Sequence, residues 1–582
     1  MFEGIRAALW LGALWFAAPL LSRGGNGADR LRDALVLGVA VPFVLAFAGV
    51  LWPIAVWLAI AALVAARFFW PPPGEPVQPI TTDRRIGTAL PILAAVAAAW
   101  PAVVRPLLQG DSLGYYLPNA ASWVQAHSIW TTTTNFWFYP GGSELFGAGL
   151  LAAAGPLAVG FAGLGALLLL GLRLQAWGVD LGVRPWVAGA ISAFIISSFT
   201  LSEQAGSLEN DVWLAAFFIE ALWLMRVGLV EAFGRATALT ALLKPVGPLY
   251  ALLALGLTVP PWRVALLALA PLALWAARDA ILWDGAIIAP ASVYDVNWFS
   301  TTIVAHGTSG ALAVYHALLT DGVATATLFA AALCSIVLAR DGRLRLAAAA
   351  SLAIFVFHPF GFMSSPPQFG VESSLRLAAP FLALGGLFLY QLVKRVQIPA
   401  GVAALGLAAF GLSRTVSIFS NDATTRATPV IVAIVAVVLL LPWDRVRRWA
   451  LPATMAALAA YAVVLAGSHP LDYYEDWLGR GAGHSRFFHW LATTKPPAIV
   501  GYGLRIGSIA AVSPGTRAID TYVRNPCREA HNLGALLVVS GDILVNVRTG
   551  YEPRRAFAER CGVIVFDDGT TIVVNPNPGW PG

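Results

Sequence analysis

The sequence predicts a polytopic α-helical membrane protein with a small extracytoplasmic α/β domain at its C-terminal end. Three observations carry that prediction. Of 582 residues, 58% are hydrophobic and only 12% are charged, with a mean hydropathy of +0.72. Apolar runs of about twenty residues, the length a helix needs to cross a bilayer, recur along the chain. From Gly467 onward the composition changes to short β-rich runs with helical runs among them. The apolar runs are continuous rather than alternating, which excludes a transmembrane β-barrel.

The apolar segments fall near residues 5–22, 34–51, 53–69, 88–107, 156–174, 184–201, 210–226, 236–258, 264–282, 320–338, 345–360, 376–392, 399–414, 428–442 and 449–466. The first has the length of a signal peptide. It lacks a strongly basic start and a small-residue cleavage site leading into a soluble domain, so it reads as a retained helix. Residues 1–87, closing near Pro71-Pro72-Pro73, form N-terminal additional transmembrane helices. Residues 88–466 form the main bundle with large outer loops, and residues 467–582 form the α/β domain.

Segment 236–258 is interrupted by "LLKPVGP". Proline and glycine in mid-run predict two short helices that enter and return on one side, a break tolerated where protein supplies the freed backbone with partners. That choice puts Arg226/Arg235, Arg263, Arg340/Arg343/Arg345, Lys394/Arg395 and Arg445/Arg447/Arg448 on a common side. Arg23/Arg30/Arg32, Arg84/Arg85 and Arg173/Arg184 join them. An excess of basic residues marks the cytoplasm. The net charge of +6 therefore reports topology, and no nucleic-acid site is indicated. Only three lysines occur, Lys244, Lys394 and Lys495; with the heavy alanine usage this suggests a GC-rich bacterial genome, hence a multi-pass protein of a bacterial plasma membrane.

The opposite face receives the stretch after Asp111, the "SEQAGSLEND" loop, the loop 284–307, the loop 358–376 and the C-terminal domain. Long polar loops gathered on one face are where function concentrates. In the last domain, "PAIVGYGLR", "TRAIDTY", "GALLVVSG" and "GVIVFDDGTTIVVNP" read as strands, with "SRFFHWLATT" and "YEPRRAFAERCG" as helices. Cys527 and Cys561 both lie there, so a disulfide is open to them on an oxidising side, although spacing alone does not set the geometry. Cys334 sits in an apolar run and reads as packing.

Asp111 stands at the end of a membrane segment, where a carboxylate is placed to accept a proton from a docked hydroxyl. Helix capping by "GDS" is the plainer alternative. The following Leu113, Tyr116, Leu117, Ala120, Trp123 and Val124 have the spacing of an interfacial amphipathic helix. Glu209 and Asp211 open an apolar helix on the same face, where capping and the helix dipole again offer a plain account. Lys244 lies deep in an apolar run, where a charge is costly and usually functional, with snorkelling as its alternative. Arg376 opens a late helix and could grip a phosphate bidentately, or pair with Glu372 four residues earlier. His358 reads as a helix-end residue. No zincin spacing, Walker loop or dinucleotide fingerprint is present.

Taken in order, these pieces resemble the glycosyltransferase C superfamily, in its branch of bacterial relatives of protein O-mannosyltransferases and aminoarabinose transferases. The resemblance is carried by "DSLGYYLPNAASW" (Asp111 to Trp123), "YPGGSEL" (Tyr139 to Leu145), "NDVWLA" (Asn210 to Ala215), "ALTALLKPVGP" (Ala238 to Pro248) and "LRLAAPFLAL" (Leu375 to Leu384). It covers residues 88–392, and Tyr116 stands where that branch often has histidine. The resemblance implies inverting transfer of a sugar from a polyprenyl-phosphate-linked donor to a hydroxyl on a glycan, lipid or protein, within the membrane lipids. It implies Asp111 as general base, and Arg376 with Lys244 at the donor phosphate. It implies Glu209 and Asp211 positioning the acceptor or a cation, and leaves a divalent metal ion open, since some relatives use one and others do not. Tyr115, Tyr116, Asn119 and Trp123, with Trp130 and Trp137, are expected at the sugar and lipid entrance. The competing classes are a flippase for a lipid-linked sugar, suggested by the broken helix at Lys244, and an inactive membrane assembly protein.

Overall fold

The computed structural model describes residues 2–22, 27–70, 81–103, 112–134, 137–282, 302–358, 375–419, 485–502, 509, 512–513, 515–520, 526–540, 544–547, 550–569 and 571–577. The chain is a polytopic α-helical membrane protein with a small C-terminal α/β region. Among the described residues, helices Ala158–Asp180, Trp262–Leu282 and Leu375–Val393 are long and apolar enough to cross a membrane. The expected segments at 428–442 and 449–466 lie outside the described residues.

The N-terminal helices are α1 (Phe2–Ala17), α2 (Gly27–Phe47) and α3 (Pro53–Phe69). They pack closely against the rest of the bundle. Trp10 of α1 meets Phe146 edge-on at 5.2 Å, and a side chain at Gly149 would strike Pro42 and Trp10. Next come α4 (Thr82–Val103), α5 (Leu117–Gln125), α6 (Gly142–Ala153), α7 (Phe161–Asp180), α8 (Pro185–Ile196) and the single turn α9 (Phe199–Ser202). A Cβ at Gly189 of α8 would sit 2.1 Å from the carbonyl of Gly87 in α4. Only small residues allow such close helix contact where lipid removes the hydrophobic drive.

Helix α10 (Asp211–Val227) is followed by α11 (Val230–Ala241) and α12 (Gly247–Thr258). Gly228, in the left-handed conformation at φ 75°, ends α10. The break between α11 and α12 is a hairpin. Lys244 at its crest ion-pairs with Asp211, the first residue of α10, whereas Thr258 at the end of α12 donates to Met225 Sδ near the other end of α10 at 2.9 Å. The chain therefore climbs along α10 and returns. Gly142 N donates to the Leu242 carbonyl at 2.9 Å, so α6 supplies a partner that the broken helix lacks.

The remaining bundle helices are α13 (Trp262–Leu282), α14 (Gly307–Asp321), α15 (Val323–Leu338), α16 (Gly342–Phe357), α17 (Ala379–Val393) and α18 (Gln397–Phe419). Helix α14 went unforeseen by hydropathy. Cys334 of α15 is exposed on the protein surface, which corrects its reading as packing.

A second correction concerns the arginines counted as loop charges. Arg32 and Arg173 lie inside α2 and α7 and are 1% and 0% exposed. Arg173 Nε and Nη2 reach Glu220 of α10 at 2.5 and 2.9 Å, and Nη2 also reaches Asp29 at 2.7 Å. Arg32 reaches Glu220 at 3.2 Å and grips Asp33 with two donors, at 2.8 and 3.0 Å. The network ties α2, α7 and α10 together through buried charges, which persist only when paired and hydrogen-bonded.

The C-terminal region contains α19 (Ser485–Thr494), β1 (Ala498–Tyr502), β2 (Arg517–Asp520), α20 (Pro526–Asn532), β3 (Leu536–Ser540), β4 (Leu544–Val547), β5 (Gly550–Pro553), α21 (Arg554–Cys561), β6 (Gly562–Asp567) and β7 (Thr571–Pro576). Five strands form one sheet in the order β2-β1-β3-β7-β6, parallel from β2 to β3 and antiparallel beyond, while β4 and β5 make a separate hairpin. Alternate residues serve two cores. Ile499, Val538 and Val573 join Phe487 and Leu491 of α19, whereas Val500, Leu537 and Val574 pack with Phe557. Cys527 and Cys561 are disulfide-bonded, with Cα atoms 5.6 Å apart.

Candidate functional site

The site forms where the start of α10 meets the α11–α12 crest and the start of α17. Asp211 is the first residue of α10, but its carboxylate does not cap that helix. Gln204 accepts from the Val212 N–H at 2.9 Å and takes that role. Asp211 is thereby left to pair with Lys244. Lys244 itself adopts φ 59°, a strained backbone for a residue other than glycine, which turns the crest toward α10. Its amine is drawn to a carboxylate inside the bundle rather than outward to the membrane surface.

Arg376 sits in the 3-10 turn Leu375–Ala378 that leads into α17. Its Nη1 donates to Glu209 Oε1 at 2.7 Å, across 167 residues of sequence, and its Nε faces Asp211 Oδ2 at 3.6 Å. Glu372, the sequence neighbour offered as its partner, lies outside the described residues. Glu209 is held by its own loop: the Ser207 hydroxyl accepts from the Glu209 N–H at 3.1 Å, and the Gly163 N–H donates to the Ser207 carbonyl at 3.0 Å. Gly163 is required there, since a Cβ would lie 2.1 Å from the Gln204 carbonyl.

Burial, together with neighbouring Glu203 and Asp211, pushes the Glu209 carboxyl well above the usual carboxylate range. Glu203 moves the same way, through burial and then Asp321 and Asp211. Burial raises the phenols of Tyr115 and Tyr116 as well, so both are neutral donors at physiological pH.

Tyr116 is fully buried and donates to Asn210 Oδ1 at 3.0 Å, which brings α5 to the same site. Asn119 accepts from Thr134 Oγ1 at 2.5 Å and lies within reach of the Glu144 carboxyl. Trp123 is 0% exposed and meets Trp275 edge-on at 5.7 Å, so its ring is core rather than entrance. Trp137 packs under Arg278, whose guanidinium donates to the carbonyls of Ile129, Trp137 and Thr131 at 2.8, 2.9 and 3.3 Å. Helix α5 is therefore buried, not spread along an open surface. Its far end is covered by the C-terminal region, where Gln125 Nε2 donates to the Thr516 carbonyl at 2.9 Å.

Asp111 lies outside the described residues. Ser112, next in sequence, is buried and accepts from the Leu208 N–H at 3.3 Å, beside Glu209. His358 caps the end of α16 as expected of a helix-end residue. Sequence reasoning missed Glu144, Glu203 and Asp321. Glu144 is 1% exposed, with Ser143 Oγ 3.0 Å from both its Oε2 and the Leu208 carbonyl. It stands in the "YPGGSEL" motif, which was its available signal. Among the described residues no group of three or more His, Cys, Asp and Glu is arranged to hold a metal ion.

No family model matches the chain, and no curated protein matches it. Among solved structures it is similar to the crystal structure of ArnT from Cupriavidus metallidurans in the apo state. That similarity covers 84% of this chain and 98% of the other, at 17% identity and a TM-score of 0.47.

Chemically, the described site offers two cations and several carboxylates in a setting nearly closed to water, where each charge acts strongly on its neighbours. Among the described residues, no hydrogen-bond donor reaches the buried Glu209 Oε2 or Asp211 Oδ2.

Proposed function

We propose that the protein is an integral membrane glycosyltransferase that transfers a sugar, with inversion, from a polyprenyl-phosphate-linked donor to a hydroxyl acceptor at the outer face of a bacterial plasma membrane. The observation that carries this reading is the meeting of Glu209, Asp211, Lys244 and Arg376, drawn from distant segments, in one buried site. A guanidinium and an ammonium held together suit the phosphate of the departing carrier lipid.

In this reading Asp111 takes the proton of the acceptor hydroxyl as its oxygen bonds to the anomeric carbon. The bond from that carbon to the phosphate oxygen breaks, and its electron pair leaves with the polyprenyl phosphate. Arg376 and Lys244 stabilise the charge that develops, a contribution worth about 10²–10³ in rate for one well-placed donor. In this reading Tyr115, only partly buried, is the member of the expected set that meets the sugar, and the buried Tyr116 and Asn119 support it. The disulfide supports an extracytoplasmic C-terminal region, because such bonds persist in oxidising compartments.

The test is sugar transfer by purified protein in nanodiscs from a set of polyprenyl phosphate sugars to hydroxyl acceptors. Asp111→Asn should lower the rate by at least ~10²-fold with the donor still bound. Unchanged transfer by that variant would end the base assignment. Movement of the lipid-linked sugar across the bilayer with no transfer would favour a flippase instead.

A further inference from the structure

The two cations assigned to the donor phosphate are already engaged. Arg376 gives Nη1 to Glu209 and turns Nε toward Asp211, while Lys244 holds the other oxygen of Asp211. The exposures of the four side chains differ. Arg376 and Lys244 are 14% and 10% exposed, whereas Glu209 and Asp211 are 3% and 1%. The cations are the more exposed pair and the carboxylates the more buried. An anion entering the site competes with Glu209 for the guanidinium.

We propose that Glu209 is a stand-in for the donor phosphate: it occupies the guanidinium of Arg376 in the empty site and yields it when a phosphodiester binds. The proposal rests on the donor class proposed above. Every charged or titratable group known to face Glu209 bears on the exchange. Arg376 comes from the turn before α17, Lys244 from the α11–α12 crest, Asp211 from α10, Glu203 from the same loop, and Tyr115 and Tyr116 from the segment before α5. Glu203 in turn faces Asp321 at the end of α14. Removing the charge of Glu209 frees the Arg376 guanidinium and takes away a repulsion on an added phosphate. Loss of one carboxylate charge must then favour it.

The sign of one substitution separates this from a positioning role. If Glu209 merely orients Arg376, Glu209→Gln weakens phosphate binding. If it competes, the same change strengthens binding. The probe is a prenyl methyl phosphodiester, which carries one negative charge across the working pH range, titrated into the full-length protein in detergent. Glu209→Gln should bind it roughly 5–10-fold more tightly than the wild type at pH 7.5. The unaltered protein supplies a second readout that needs no variant. Its affinity should rise as pH is lowered, because protonation of Glu209 removes the charge that competes for Arg376. Equal or weaker binding by Glu209→Gln, or a wild-type affinity that ignores pH, overturns the proposal while leaving the donor class standing. Failure of either protein to bind the probe removes the donor class, and this proposal with it.

Discussion

Lys244 and Asp211 are joined by an ion pair between the crest of a helical hairpin and the first residue of the helix beside it. Each is nearly closed to solvent, so each depends on the other. Removing one partner of a buried pair leaves an uncompensated charge and costs about 3–5 kcal/mol. Lys244→Met should therefore lower the thermal midpoint in detergent sharply. The double variant Lys244→Met with Asp211→Asn should recover much of that loss. Additive losses would show that the two groups do not share one interaction.

The hairpin itself makes a topological prediction. Leu229 and Val259, 50% and 84% exposed at its two feet, should as single cysteines in a Cys334→Ala background react with a membrane-impermeant thiol reagent from the cytoplasmic side. Leu533→Cys, 40% exposed in the C-terminal region, should react from the other side. Labelling of positions 229 and 259 from opposite sides would mean that the chain crosses there.

The charge network at Glu220 offers a test of the N-terminal helices. Glu220→Gln leaves the guanidiniums of Arg32 and Arg173 short of a counter-charge and should destabilise the protein by about 3–5 kcal/mol. Leu-for-Ile exchanges on the exposed face of α3 should change little by comparison. A thermal midpoint unmoved by Glu220→Gln would show that Glu220 does not anchor α2, leaving the Arg173–Asp29 pair and apolar packing to hold it.

Cys527 and Cys561 close a loop with a sequence separation of 34. Closure of that length stabilises by about 3–4 kcal/mol on chain-entropy grounds. The Cys527→Ser/Cys561→Ser variant should make the C-terminal region the first part cut in limited proteolysis. Peptide mapping without reduction should recover the two cysteines as one linked species from oxidised membranes. Free thiols there would place the region on the reducing side.

Much of this was legible in the letters, and the gaps have physical causes. The hairpin followed from "LLKPVGP", because proline and glycine in an apolar run forbid a continuous ladder. The strands of the last domain followed from their β-rich runs. Glu209 and Asp211 were recognisable as a pair, but capping and ion pairing look alike until a partner is known. Only folding brings Lys244 and Arg376, dozens to hundreds of residues away, within reach. Arg32 and Arg173 were misread for the same reason: a buried arginine and a loop arginine are spelled alike, and Glu220 is what distinguishes them. Helix α14 escaped because its apolar residues serve two opposite faces, Ala313 and Ala317 inward and Leu312 and Leu319 outward, so that no one stripe stands out.

The network around Arg32 also bears on how the protein is made. Arg32 and Glu220 are separated by 188 residues, so the arginine leaves the ribosome long before its counter-charge exists. At about 5–20 residues per second, the wait is roughly 10–40 s. During that interval α2 carries its guanidinium with only Asp29 and Asp33 for company. Those two carboxylates, on the same helix, are the counter-charges that keep Arg32 paired until α7 and α10 emerge.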